Sequence, residues 1–284
     1  MSSTYEGRPK PLTGLPQEDC DVSPGEARQA PGNGAPKGGP DRTPLSRTFV
    51  MYAGEMKRLL RYGISGASLF VAAIWILILQ FSDISDISLV FPMTLFMDAT
   101  LMSLLLAGVT MIFEAQENTF RSMMVLPITG DDYLLGKSMA IVTSGLTTLA
   151  ILLVYGIGFK SLEVSIPGIA GAVILVAFAF AQAGIVLTYY SEDFTGLLLN
   201  MFKFIIVFIT PTILEMVNIL DVSWVKTVQY LNPTKNALVV LQAPVVPIDN
   251  KDLVIAIAYL IAMAAGLYAV SRKLLAKYAE KGGA

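Results

Sequence analysis

Any chemistry in this chain must be built without histidine: none occurs among the 284 residues, and the single cysteine is Cys20. That excludes Ser-His-Asp and Cys-His nucleophile arrangements and every histidine-ligated metal site, and it leaves no internal disulfide. There is no Gly-x-x-x-x-Gly-Lys-Ser/Thr run to cradle phosphates, so the chain has no ATP-hydrolysing motif of its own. No catalytic, metal or cofactor residue is expected, and the chain does not read as an enzyme. What remains are ionisable groups set in long apolar stretches, where a charge is a functional candidate by default. Asp98 falls near the middle of one stretch, or nearer its outer end if the helix starts at Phe91. It reads either as lining a substrate path or as a partner for a neighbouring hydroxyl or helix junction. Lys203 lies about two turns into another stretch, close enough to an end to snorkel to headgroups. Glu215 follows Thr210-Pro211-Thr212. Pro211 kinks that helix and frees a carbonyl, so Pro211–Glu215 reads as a gate or as a wet helix end.

A second constellation is the polar stretch Glu114–Lys137, EAQENTFRSMMVLPITGDDYLLGK. From Ala115 to Met124, Phe120, Met123 and Met124 share one helical face, while Glu117 and Arg121 stand four apart on another, acid first. Leu126-Pro127 ends the turn, and Thr129 with Asp132 forms a capping box for the next helix. The expectation is a short amphipathic helix at a membrane surface, joined rigidly to two membrane helices and suited to receiving force from outside the bilayer. Phe120, Met123 and Met124 would fill a partner's groove, with Glu117, Asn118 and Arg121 fixing register.

The elements that position these residues follow from composition. The chain is 54% hydrophobic and only 15% charged, against about a quarter charged in ordinary soluble domains. Six uncharged or nearly uncharged runs, about 64–81, 90–113, 134–159, 166–189, 196–214 and 253–270, are each long enough to cross a hydrocarbon core of about 30 Å as helices. Residues 1–44 hold eight Pro and seven Gly with charges of both signs and no apolar period, which predicts a disordered tail; residues 45–284 form the transmembrane domain. Leu45–Tyr62 sets Phe49, Val50, Tyr52, Met56, Leu59 and Leu60 against Arg47, Lys57, Arg58 and Arg61, the pattern of a basic helix lying in the headgroup plane. Between spans five and six, Trp224–Leu231 and Ala237–Leu241 flank Asn232-Pro233-Thr234 and predict a re-entrant helical hairpin on the outer side. Ala258, Ala262 and Gly266 give span six a small-residue face.

Orientation follows from lysine and arginine. With the N-terminus inside, inner segments carry Arg42, Arg47, Lys57, Arg58, Arg61, Arg121, Lys137, Arg272, Lys273, Lys277 and Lys281, and outer ones only Lys160, Lys226, Lys235 and Lys251. Both termini and the Glu114–Lys137 stretch are therefore expected in the cytoplasm. A net charge of −2 gives no reason to expect a nucleic-acid partner.

The run Glu114-Ala-Gln-Glu-Asn-Thr119, then Leu126-Pro-Ile-Thr129, then Tyr133-Leu-Leu-Gly-Lys137 resembles the coupling-helix region of ABC-2 type transporter permeases. The subgroup it most resembles contains bacterial and archaeal drug-export permeases, including those for fluoroquinolones. Beyond this block the agreement is mainly one of layout from about Leu45 onward. The resemblance implies an all-α polytopic membrane protein with six transmembrane helices, an N-terminal interfacial helix, a cytoplasmic coupling helix and a short outer hairpin. It implies residence in the plasma membrane of a bacterium or archaeon, a second permease subunit, and a separate ABC ATP-binding subunit that carries ATP and Mg. The implied cargo is hydrophobic or amphipathic: drug-like, lipid-like or peptide. The rival expectation is an ion-coupled secondary transporter without an ATPase, for which Asp98 is the one well-placed acid.

Overall fold

Leu95, Leu152, Val176 and Leu260 are buried together in a bundle whose described elements are all helices. The computed structural model describes residues 44–81, 87–117, 128–191, 193–216 and 227–282. The predicted tail, residues 1–43, lies outside these. Helix α1 is Pro44–Arg61 and α2 is Ile64–Phe81. Helix α3 is continuous through Ile87–Met97, a π-helical turn Asp98–Met102, and Ser103–Gln116. Helix α4 is Gly130–Lys160 and α5 is Ile166–Tyr189. Helix α6 runs through Phe194–Phe204, a second π turn Ile205–Ile209, and Thr210–Met216. Short α7 is Pro233–Gln242, and α8 is Asn250–Gly282. Among the described residues there is no strand, and six helices are long and apolar enough to cross a membrane: α2 to α6 and α8.

The centre is made by α3 and α5, which pack most extensively against each other. A Cβ on Gly184 of α5 would meet the Leu104 carbonyl oxygen and lie 2.8 Å from Ala107 Cβ of α3; the absent side chain is what lets the two backbones approach. Helices α2, α6 and α8 surround this pair and leave most of their apolar surface outward, as expected of helices whose solvent is lipid. Of span six, Ala256, Leu260 and Ala264 pack inward. The small-residue face Ala258, Ala262 and Gly266 points out.

Helix α1 differs from its sequence pattern. Leu45, Phe49, Val50 and Leu60 are exposed, whereas Met51, Leu59 and Glu55 are buried. A carboxylate thus sits on the inward face, which no apolar–polar split of the sequence would place there. Lys57 and Arg61 are exposed as expected, but Arg58 turns inward to join that carboxylate. Contact with α4 is close: a Cβ on Gly136 would lie 2.7 Å from Met51 Cβ and 3.0 Å from the Tyr52 nitrogen.

The predicted hairpin is partly described. Trp224 and Val225 lie outside the described residues, but α7 begins at Pro233 with Asn232 as its N-cap, its side chain accepting from the Thr234 amide. Proline at the first helical position opens this helix rather than breaking it. Helix α7 packs on α8 and α3, with Ala237, Leu238, Val240 and Leu241 buried.

Candidate functional site

At the end of the bundle where α1, α3 and α4 meet, four charged side chains form one buried network. Lys137 Nζ, seven residues into α4, lies 2.7 Å from Glu114 Oε1 and 3.2 Å from Glu55 Oε2. It also donates to Thr110 Oγ1 at 3.2 Å. Arg58 reaches Glu114 Oε1 at 2.6 Å and lies 3.0 Å from Glu55 Oε1, the latter without hydrogen-bond geometry. Tyr133 donates its hydroxyl to Glu114 Oε2 at 2.5 Å. The side chain of Lys137 is 1% exposed, and those of Glu55 and Glu114 are each 2% exposed. Two acids and two bases balance, which is the condition for keeping charge in an apolar interior. Burial pushes the Glu55 carboxyl above its ordinary range, against the pull of Lys137.

Three helices are joined by this network, and two of them, α3 and α4, flank the polar segment. Both edges of that segment carry further ties. On the α3 side, Tyr62 donates to Glu117 Oε2 at 2.5 Å, and this bond holds the Tyr62 phenol above its ordinary range. On the α4 side, the expected capping box is present: Thr129 Oγ1 accepts from the Asp132 amide at 3.2 Å, and the Thr129 amide donates to Asp132 Oδ2 at 3.1 Å. Thr48 of α1 donates to Asp132 Oδ1 at 2.7 Å. From α8, Tyr268 donates to Asp131 Oδ1 at 3.0 Å, and Arg272 lies 3.2 Å from the same oxygen.

The expected separate helix does not begin at Ala115. Ala115 and Gln116 complete the last turn of α3, and Glu117 caps it, because the apolar run feeding that helix continues without a breaker. Glu117, expected to contact a partner, engages Tyr62. Asn118, Phe120, Arg121, Met123 and Met124 lie outside the described residues.

The other candidates are at some distance from this network. Asp98 opens the π turn of α3 and is 4% exposed. Thr148 of α4 bonds its carboxylate, and Oδ1 has no partner. Both readings offered for this residue therefore retain support: a hydroxyl partner exists, and an oxygen is left over. Lys203 is exposed, with Nζ 3.4 Å from Asn200 Oδ1.

Pro211 and Glu215 belong to a clasp at the opposite end of the bundle. Proline at 211 removes an amide and crowds the carbonyl four residues earlier, and the π turn Ile205–Ile209 takes up the misfit immediately before it. The Phe208 carbonyl there accepts from Asn232 Nδ2 at 2.9 Å, Thr234 Oγ1 at 2.6 Å and Thr212 Oγ1 at 3.1 Å. Glu215 Oε1 pairs with Lys235 at 2.6 Å. Here α6 is fastened to α7 through the Phe208 carbonyl and the Glu215–Lys235 pair.

The sequence reading set Arg58 on the basic face of α1, counted Arg58 and Lys137 toward orientation and quoted Glu114, Tyr133 and Lys137 only as parts of a polar stretch; it did not single out Glu55 or join these residues in one network. The available signal was Lys137, a charge two turns inside an apolar span, which calls for an acid at matching depth. Among the described residues no group of acids or cysteines is arranged to hold a metal. No protein-family model matches this chain, and no curated protein is similar to it.

Proposed function

We propose that this chain is the transmembrane permease subunit of an ATP-driven exporter, with ATP hydrolysed by a separate ABC subunit, and that it works as a pair of permease subunits in a plasma membrane. The observation that carries this reading is the fastening of the segment between α3 and α4. Its two edges are tied to α1, to Tyr62 just after α1 and to α8 by the Lys137 network, the Tyr62–Glu117 bond and the ties to Asp131 and Asp132. A segment meant only to connect two helices needs none of this. One meant to carry displacement into α3 and α4 must not flex at its roots.

On this reading the segment is a coupling element on the cytoplasmic side. Phe120, Met123 and Met124 enter a groove on the ATPase. Closure of the ATPase pair pushes the segment, and α1, α3 and α4 follow as one block. The clasp of Pro211 and Glu215 on α7 lies at the other end and gates the exit. Cargo biases the inward-open and outward-open populations only through its different affinity for the two.

Changing Phe120→Asp together with Met123→Asp is expected to abolish co-purification with the ATPase while the permease stays inserted. ATPase retained at wild-type stoichiometry would remove the basis of the proposal. Asp98, with its unpartnered oxygen, favours one alternative: transport coupled to an ion, without an ATPase. Loss of transport in Asp98→Asn, in vesicles whose transport is indifferent to ATP, would establish that alternative; ATP-dependent transport that survives the change rejects it.

A further inference from the structure

A cavity of about 530 Å³ lies beside the Lys137 network, between the ends of α3 and α5 and the start of α4. Its walls include Met111, Glu114 and Ala115 from α3, Tyr133 from α4, Tyr189 from α5, and Asp193, which precedes α6. The volume falls in the range of pockets that hold drug-sized molecules, about 300–1,000 Å³. The lining combines apolar side chains, two tyrosine rings and two carboxylates, with no lysine or arginine among the described residues.

The two carboxylates differ in what compensates them. Glu114 is neutralised by Arg58 and Lys137. Asp193, exposed at the edge of the cavity, has no such partner among the described residues; its Oδ1 accepts the Gly196 amide at 2.7 Å, capping α6. A concave, mostly apolar cavity with a carboxylate at its edge that no described cation pairs is complementary to a molecule with an apolar body and a positive charge.

We infer that this cavity is a binding site for an amphipathic organic cation, held by Asp193 and by the apolar and aromatic wall of Met111, Ala115, Tyr133 and Tyr189. This deepens the exporter reading by naming a cargo class, but binding itself requires neither ATP nor an ATPase. Tyr133 and Glu114 share a hydrogen bond within the network, so an occupant touches the residues that root the coupling segment. Site and segment are then linked, and the linkage acts equally in both directions.

The test is equilibrium binding of radiolabelled tetraphenylphosphonium to the purified full-length chain, with uncharged triphenylphosphine oxide as competitor. Wild type is expected to bind saturably, and the uncharged competitor should not displace the cation. Ala115→Trp, at an exposed position whose new ring fills the cavity, should abolish binding. Asp193→Asn keeps a side chain that caps helices well, so α6 stays intact, and it should weaken binding about tenfold, or about 1.4 kcal/mol. Absence of saturable binding by wild type, equal binding by Ala115→Trp and Asp193→Asn, or displacement by the uncharged competitor would each overturn the inference. The exporter reading would survive such a result, and the site would survive failure of the ATPase co-purification.

Discussion

Lys137→Met is expected to destabilise the protein by about 3–5 kcal/mol, the range seen when one member of a buried ion pair is removed. Methionine matches the length and apolar stem of lysine, so packing is nearly conserved and the charge is what changes. Without the ammonium, Glu55 and Glu114 share only Arg58, and the buried cluster carries a net negative charge. Adding Glu55→Gln restores neutrality, with Glu114 facing Arg58, and should recover most of the loss. The pH dependence has a definite sign. Burial holds the Glu55 carboxyl above its ordinary value of 4.5, so the folded protein binds its proton more tightly than the unfolded chain does. Stability from this group is present below that value and is lost as pH rises through the raised one. Removing Lys137 strengthens the trend, so the deficit of Lys137→Met should be larger at pH 8 than at pH 5. Thermal unfolding of the detergent-solubilised chain at the two pH values measures this. A deficit under 1 kcal/mol, or one independent of pH, would show that the lysine does not compensate the acids.

The contrast between what sequence revealed and what it hid follows from range. Six spans were legible because each is a contiguous apolar run, and crossing a membrane as a helix depends only on local composition. The Thr129–Asp132 capping box was legible for the same reason, since both partners lie within one turn. Glu55 was hidden because the buried base that faces it, Lys137, is 82 residues away. A charge on an amphipathic helix is assigned to solvent unless something buried faces it, and that something is a tertiary fact. The clasp at Pro211 was half visible. A proline in a span implies a disturbed helix, but that Asn232 and Thr234 donate to the nearby Phe208 carbonyl depends on α7 folding back onto α6. Asp98 shows a third limit: its apolar setting is plain from the sequence, whereas the π turn it opens and the Thr148 beside it are not.

Gly184→Ala is expected to destabilise the bundle by about 1–3 kcal/mol, the cost of overpacking a well-filled interior. This reverses the usual sign, because alanine is favoured over glycine in a helix by about 1 kcal/mol. The reason is the obstacle. The new methyl would meet the backbone carbonyl of Leu104 as well as Ala107 Cβ at 2.8 Å, and a backbone atom cannot step aside by changing rotamer. Helix α5 must move away from α3, opening the contact that organises the centre of the bundle. Gly171 provides the control within the same helix, since a methyl there meets nothing within 4 Å; Gly171→Ala should leave stability unchanged or raise it. The opposite signs separate crowding from helix propensity, and truncating the neighbour separates it further. Ala107→Gly should restore only part of the Gly184→Ala loss, because it clears the methyl contact and leaves the carbonyl in place. Displacement of α3 also shifts Glu114, which sits ten residues beyond Leu104 on that helix. Gly184→Ala should therefore lessen the benefit that Lys137 confers, so that the two substitutions combined cost less than their sum. Strict additivity in that double-mutant cycle would mean that the α3–α5 contact and the ion network do not communicate, and the rigid block required of a coupling device would be lost with them.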